Sequence, residues 1–215
     1  MNDGLIRMLG LAQIAVFLLS FSSEQLQKMT LKKLRGENNN GTKPQLSRLR
    51  LSIFLALLNC IFIICLGVLF YNAFYQSYPV WSLLALILFV VESVVLAAGK
   101  MGVILWEKRV SEKSEKQIQI NFSDLETLIN FDKVGYDVHM LFFGFGAIIW
   151  YSLLYASGLT PDWLALWGLI AVALLQIVVI LEFINKKFEK LVVVGIFYAP
   201  FELLLGLWLL INGIR

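Results

Sequence analysis

The sequence predicts an all-α integral membrane protein, a six-transmembrane-helix bundle that forms one membrane domain over residues 1–215. Apolar residues make up 59% of the 215 residues and charged residues only 15%, with a mean hydropathy of +0.78. Soluble domains average about 45–50% apolar and about 25% charged residues. Six apolar runs fill the length, since a spanning helix takes about 20 residues. The predicted spans are about 5–21, 51–74, 80–105, 134–155, 163–184 and 191–211.

The first three spans follow from their flanking residues. We interpret the short first run as a retained span, because cleaving it as a signal peptide would send the most basic connection across the membrane. The next segment, Glu24 to Arg35, interleaves Leu and Met with four basic residues, which predicts an interfacial amphipathic segment before the second helix. The turn that ends at Pro79 joins spans two and three into a hairpin, with Pro79 in the first helical turn.

The last three spans are separated by one long and two short connections. A helix that begins near Ser123 carries apolar residues on one side, so we expect its first turns to lie at the interface before span four enters the membrane near Gly135. Span four ends at Gly158, and Thr160 is the candidate N-cap of span five, followed by Pro161 at its first position. A short basic link leads to span six.

The distribution of Lys and Arg predicts the orientation. Fifteen of the 18 basic residues lie between spans one and two, three and four, or five and six. Because cytoplasmic loops are enriched in Lys and Arg, these connections should be cytoplasmic and both termini extracytoplasmic. The expected location is the bacterial cytoplasmic membrane. Anionic lipid is the expected partner of the basic residues after span one, which are Lys28, Lys32, Lys33 and Arg35.

Several function classes are disfavoured by what the sequence lacks. The net charge of +3 and the absence of basic residues among the aromatic turns argue against nucleic acid binding. His139 is the only histidine, and Cys60 and Cys65 diverge around a helix, so we expect no metal, no cofactor and no disulfide. No catalytic motif is present, and we expect a protein that is not an enzyme.

Two carboxyl groups lie where lipid should exclude them. Glu92 and Glu202 are each about 18 Å from the start of their spans, near the middle of a hydrocarbon core of about 30 Å. Pro200 removes a backbone donor two residues before Glu202. Buried ionisable groups in a membrane indicate function by default, so Glu92 and Glu202 form a candidate polar site, which Asn59 and Gln176 can join.

Each of these residues also has a structural interpretation. Neutral Glu, Asn and Gln side chains hydrogen-bond helices together in membranes, with about 1 kcal/mol each. Asp137 and His139 are a candidate proton access point, although residues at such a position also lie simply at the water boundary. We expect Lys100 to extend its amine toward the head groups, as lysines near helix ends do.

A resemblance covers nearly the whole chain. Residues 153–164 read LLYASGLTPDWL, residues 201–213 read FELLLGLWLLING, and residues 48–51 and 91–93 read RLRL and VES. These motifs resemble the bacterial multi-pass membrane proteins of domain-of-unknown-function family 4386. The resemblance implies a six-helix integral membrane protein and no particular activity.

Two functions are therefore carried forward, and a third, an intramembrane enzyme, would need a polar cavity that contains His139 with Asp137 or Tyr136. The first is a non-enzymatic binding or regulatory role in the membrane, with an unknown membrane protein or a second copy of the chain as an open partner. The second is a small proton- or cation-coupled carrier that uses Glu92 and Glu202. A polar cavity between helices three and six would favour ligand or ion binding over a purely structural role for the two carboxyl groups.

Overall fold

A computed structural model describes residues 3–36, 42–115, 122–185 and 195–212. These residues form six α-helices and contain no strand. The helices are α1 (Asp3–Gly36), α2 (Thr42–Phe74), α3 (Pro79–Glu115), α4 (Phe122–Ser157), α5 (Asp162–Ile184) and α6 (Gly195–Asn212).

The helices have the length and composition that a bilayer requires. Within the described residues five segments can span a membrane: Asp3–Lys33, Gln45–Phe74, Pro79–Leu105, Ile129–Ser157 and Asp162–Ile184. The sixth is a shorter apolar helix, Phe197–Asn212. The all-α, six-helix prediction is confirmed. The start of the predicted sixth span, near residue 191, lies outside the described residues.

The six helices form a ring in chain order. Each helix packs extensively against the next one along the chain, and α6 packs against α1 and so closes the ring. Large apolar side chains point away from the bundle on every helix, among them Val80, Ile170 and Phe197. This outward face is the surface that a bilayer would solvate, while the polar residues of interest lie on the inside.

Local residue chemistry fixes several helix ends. Pro79 begins α3 as predicted, and Gly158 has a φ of 64°, a left-handed conformation that suits glycine in the turn after α4. The prediction that Thr160 caps α5 is wrong by one residue. Pro161 is the N-cap, with φ −56° and ψ 142°, and the helix begins at Asp162. Proline tolerates this position because it has no amide hydrogen to satisfy.

The segment after span one is not a separate element. Glu24 to Arg35 continues α1 without a break, and its residues Ser23, Gln27 and Thr30 face the bundle and are buried. The opposite side carries Lys28, Lys32 and Lys33, which are exposed. The amphipathic pattern therefore belongs to one long helix, α1. The end of this helix packs against the bundle through its uncharged polar side chains, and its lysines lie on the opposite side. The segment leading into span four is likewise the first part of α4.

An aromatic cluster fills the half of the bundle that holds the α2–α3 turn. Trp150 is fully buried, stacks on Phe70 with ring centroids 4.8 Å apart and contacts Phe89 edge-on at 6.1 Å. Gly146 lies one turn before Trp150, and a Cβ there would be 2.8 Å from the Phe89 ring. Close packing of these rings closes one end of the interior, so that the polar cavity lies between this cluster and the opposite end.

Candidate ligand-binding site

A polar cavity of about 150 Å³ lies inside the ring, and all six helices contribute to its wall. This volume is about five times the roughly 30 Å³ that one molecule occupies in liquid water. The polar lining residues are Ser20, Asn59, Glu92, Tyr136, His139, Tyr198 and Glu202. The apolar lining residues are Val16, Phe17, Ile63, Met140, Phe143 and Leu175.

Glu92 of α3 and His139 of α4 face each other in this cavity. His139 Nδ1 lies 3.7 Å from Glu92 Oε1, which is longer than a hydrogen bond, and both side chains are almost completely buried. Glu92 Oε2 and both ring nitrogens of His139 have no hydrogen-bond partner in the protein. Buried polar groups in proteins are nearly always satisfied, so these three atoms mark a place that a further molecule would complete.

Asn59 of α2 presents another unpartnered acceptor to the same space. The residue is 2% exposed, lines the cavity and has no protein donor for its Oδ1 atom. Helix α2 is otherwise almost entirely apolar around this position, with Cys60 and Ile63 packed in the core. Asn59 is therefore the single polar group that α2 offers to the cavity.

Glu202 of α6 is held by a chain of hydrogen bonds across three helices. Its Oε1 accepts from Gln13 Nε2 of α1 at 3.2 Å and from the Tyr198 hydroxyl at 3.0 Å. The Tyr198 hydroxyl in turn shares a hydrogen bond of 2.5 Å with the hydroxyl of Tyr151 in α4. One carboxylate oxygen is thus fixed from two sides, and the orientation of the whole carboxyl group follows.

Glu92 and Glu202 lie close enough to share two cavities. Besides the larger one, both line a smaller space of about 20 Å³ next to Gln13, Tyr151 and the Trp150 cluster. A space of this size holds about one water molecule. The structure therefore brings together Glu92, Glu202, Asn59 and His139 among the residues singled out from the sequence.

Gln176 and Asp137 do not line the polar cavity. Gln176 of α5 donates from Nε2 to the backbone oxygen of Leu141 at 3.2 Å, and its side chain covers Gly144. This contact joins α4 to α5, which is the structural use of a polar side chain in a membrane helix. Asp137 lines a separate surface cleft with Lys133 and Glu182, so the structure does not place it beside His139 in the polar cavity.

A second polar cluster lies where α1, α3 and α4 meet, and the expectation for Lys100 is wrong. The Lys100 amine is buried and forms an ion pair with Asp132, at 2.9 Å from Oδ1, and donates to Gln27 Oε1 at 2.8 Å. Gln27 Nε2 donates to Asp132 Oδ2 at 2.6 Å. Lys100 does not extend toward the head groups because an acidic partner is available inside the bundle.

Some site residues carried no signal in the sequence. Gln13 and Tyr151 lie within apolar runs, and tyrosine is common in membrane helices for other reasons. Asp132 lies two residues before the predicted start of span four and so looked like a loop residue. A polar residue four positions from another on one helix, as Tyr198 is from Glu202, would have been a usable signal for a shared face.

The cavity does not have the composition of a metal centre. Among the described residues no group of three or more His, Cys, Asp or Glu side chains is arranged to hold a metal ion. Cys60 is a buried free thiol and Cys65 an exposed one. The site is instead a mixed acidic and aromatic pocket between transmembrane helices.

The fold and this pocket define a multi-pass helical membrane protein with a buried polar site. Residues 8–213 match the family described as Domain of unknown function (DUF4386), and the chain belongs to this family. The family resemblance seen in the sequence motifs is thereby confirmed. No curated protein and no solved structure matches the chain.

Proposed function

We propose that the protein is a non-enzymatic binding protein of the membrane whose interior cavity receives a small polar ligand. The observation that carries this proposal is the set of unpartnered, buried polar atoms that face the cavity: Glu92 Oε2, Asn59 Oδ1 and the His139 nitrogens. An unsatisfied buried polar group costs about 1–3 kcal/mol, which a ligand that supplies the missing hydrogen bonds would recover.

The composition of the cavity supports binding over catalysis. Covalent catalysis needs an activated nucleophile beside a base, and the described lining residues offer no Cys, Lys or Thr and a single serine, Ser20. Ser20 belongs to α1 and is an exposed residue at the edge of the cavity. Glu92 and His139 can orient a ligand by charge and hydrogen bonding, and this role requires no further group.

The experiment asks whether a small solute reaches the cavity. Asn59→Cys is made in a background where Cys65 is replaced by Ala, and the purified protein is treated with methyl methanethiosulfonate. Adjacent Cys60 is the internal control, because it is buried in the packed core and does not line the cavity. We expect the new thiol to be modified faster than Cys60, as measured by peptide mass spectrometry. Equal, slow modification of both thiols would refute an accessible cavity.

A second candidate function, a proton- or cation-coupled carrier, is favoured by one feature of α6. Pro200 lies inside this helix two residues before Glu202, so the helix lacks one backbone hydrogen bond beside the carboxyl group. Helices that Pro or Gly interrupts near the bilayer midplane are common at transporter binding sites, and α6 carries such a proline while it stays helical from Gly195 to Asn212. The test is uptake into proteoliposomes with an imposed pH gradient, comparing the wild type with Glu202→Gln. Proton flux that the substitution abolishes would favour the carrier, and no flux in the wild type would exclude proton coupling.

We further propose that α1 places its basic end on an anionic cytoplasmic leaflet. Lys32 and Lys33 are exposed, while Lys28 is exposed but forms an ion pair with Glu24. Each basic residue near an anionic surface contributes about 1 kcal/mol. Arg35 belongs to the same end of the helix, and its side chain lies outside the described part of the structure.

A further inference from the structure

The charge of the cavity wall is one-sided. Its described lining residues include two carboxyl groups, Glu92 and Glu202, and none of them is Lys or Arg. Lys100 lies two turns along α3 from Glu92, but its amine is occupied by Asp132 and Gln27. Glu92 therefore faces His139 across 3.7 Å, and no Lys or Arg side chain in the described part of the chain pairs with it.

The uncharged part of the wall mixes aliphatic and polar side chains with four aromatic ones. Phe17, Tyr136, Phe143 and Tyr198 surround the acidic groups, and the Phe143 and Tyr198 rings meet edge-on at 5.5 Å. Aromatic faces attract ammonium groups, and this attraction is stronger where water is excluded. These aromatic rings supply no ligand atoms for a metal ion. The described residues also contain no group of three side chains that could bind a metal.

From this combination we infer that the ligand of the cavity is an organic ammonium ion, held between Glu92 and Glu202 and surrounded by the aromatic side chains. The inference rests on the proposed binding function and names its ligand class. Glu92 Oε2 and Asn59 Oδ1 have no partner in the protein, so these two oxygens are available to face the positive charge of an ammonium ion. Glu202 contributes charge while Gln13 and Tyr198 hold it in place.

The volume of the cavity bears on the size of the ammonium group that can enter. About 150 Å³ admits a small ammonium group with a few carbon atoms. Such a group occurs in free amines and also as the head group of zwitterionic phospholipids. Both sources share the chemistry that the cavity recognises, and the experiment separates them.

The test measures the thermal unfolding temperature of the purified full-length protein in maltoside detergent. The probes are tetramethylammonium, its uncharged near-isostere tert-butanol, choline, and a short-chain phosphatidylcholine. We expect tetramethylammonium to raise the unfolding temperature in a saturable manner and tert-butanol to have no effect. Stronger stabilisation by choline than by the phospholipid would indicate a free ammonium ion as the source, and stronger stabilisation by the phospholipid would indicate a lipid head group.

Variants localise the effect. Glu92→Gln keeps the shape and removes the charge, and it should weaken tetramethylammonium binding about tenfold or more. Glu182→Gln is the matched control, because Glu182 lies on α5 outside the cavity and pairs with Lys133. Phe143→Leu, which removes an aromatic wall without touching a charge, should weaken binding more modestly and covers the case in which Glu92→Gln does not fold.

The outcomes separate this inference from the proposed function. If tert-butanol binds as well as tetramethylammonium and Glu92→Gln changes neither, the cavity binds ligands but the ammonium class is wrong. If no probe binds and the Asn59→Cys thiol is unreactive, both the proposed binding function and this inference are refuted. Equal loss of binding in Glu92→Gln and Glu182→Gln would also overturn the assignment to the cavity.

Discussion

Lys100 and Asp132 form a buried ion pair, with 2.9 Å between the amine nitrogen and Oδ1, and this pair joins α3 to α4. Gln27 of α1 bonds to both partners, so three helices meet at one polar cluster. The side chains are only about a tenth exposed. A buried pair is costly to assemble and more costly to break, because removal of one partner leaves the other charge without compensation.

Single substitutions in this pair should therefore destabilise the protein more than a double substitution. We expect Asp132→Leu or Lys100→Met alone to cost about 3–5 kcal/mol and the combination to cost clearly less. Thermal unfolding in detergent measures both. Lys28→Met is the control, because Lys28 is exposed in an i,i+4 pair with Glu24 and such pairs contribute about 0.3–0.5 kcal/mol. Equal losses in the single and double variants would contradict a direct pairing.

The seam between α1 and α6 should not tolerate a side chain at Gly10. A Cβ there would lie 2.6 Å from the backbone oxygen of Gly206 and from the backbone nitrogen of Leu210. Since both neighbours are backbone atoms, the helices would have to separate. Gly10→Ala should lower the unfolding temperature, whereas Gly195→Ala, where Leu175 Cδ1 at 4.0 Å is the neighbour that the described residues provide, should leave it unchanged or raise it slightly. A harmless Gly10→Ala would show that this contact is not made.

Trp150 should be far more sensitive to truncation than a tryptophan on the outer surface. It is completely buried between Phe70 and Phe89, and replacing such a residue by Ala costs about 3–5 kcal/mol. Trp163 is 58% exposed and provides a matched Trp→Ala comparison. Unfolding temperatures in detergent give the difference, and similar values for the two variants would argue against the aromatic cluster.

The orientation in the membrane remains a prediction from the distribution of Lys and Arg, and labelling in intact cells tests it. In a background without native cysteines, we expect Gly158→Cys to react with a membrane-impermeant maleimide and Asn39→Cys to react only after permeabilisation. The reason is that position 39 belongs to the most basic connection and position 158 to a turn without basic residues. The reverse pattern of labelling would invert the topology.

Most of the fold follows from local sequence chemistry. The apolar runs set the number of helices, and Pro79 and Gly158 mark turns through the conformations that proline and glycine prefer. Distances along a helix also place Glu92 and Glu202 at similar depth. Such distances do not determine how each helix is rotated about its own axis or which residues on other helices it contacts. This is why the pairing of Lys100 with Asp132 was missed, while Gln176 was expected in the polar site and instead bonds to the backbone of Leu141.

The same limit applies to the cavity. That Asn59, Glu92, His139 and Glu202 face one space depends on four helices being turned toward a common centre. None of these helices has a continuous polar stripe that would reveal its inward face. Tyr151, which bonds to the Tyr198 hydroxyl, cannot be identified from the sequence for the same reason.

The closed ring has a consequence for how the molecule is assembled during synthesis. Five of its six extensive helix contacts join neighbours along the chain and can form as each new helix emerges, because little loop entropy is lost in closing them. The contact of α6 with α1 has to wait for the last helix. The Gln13 to Glu202 hydrogen bond belongs to this final contact, so the pocket acquires its second acid only when the ring is complete. In an intermediate that lacks α6, Glu92 and Asn59 would be exposed to the bilayer. The free-energy cost of exposing these polar groups favours docking of α6.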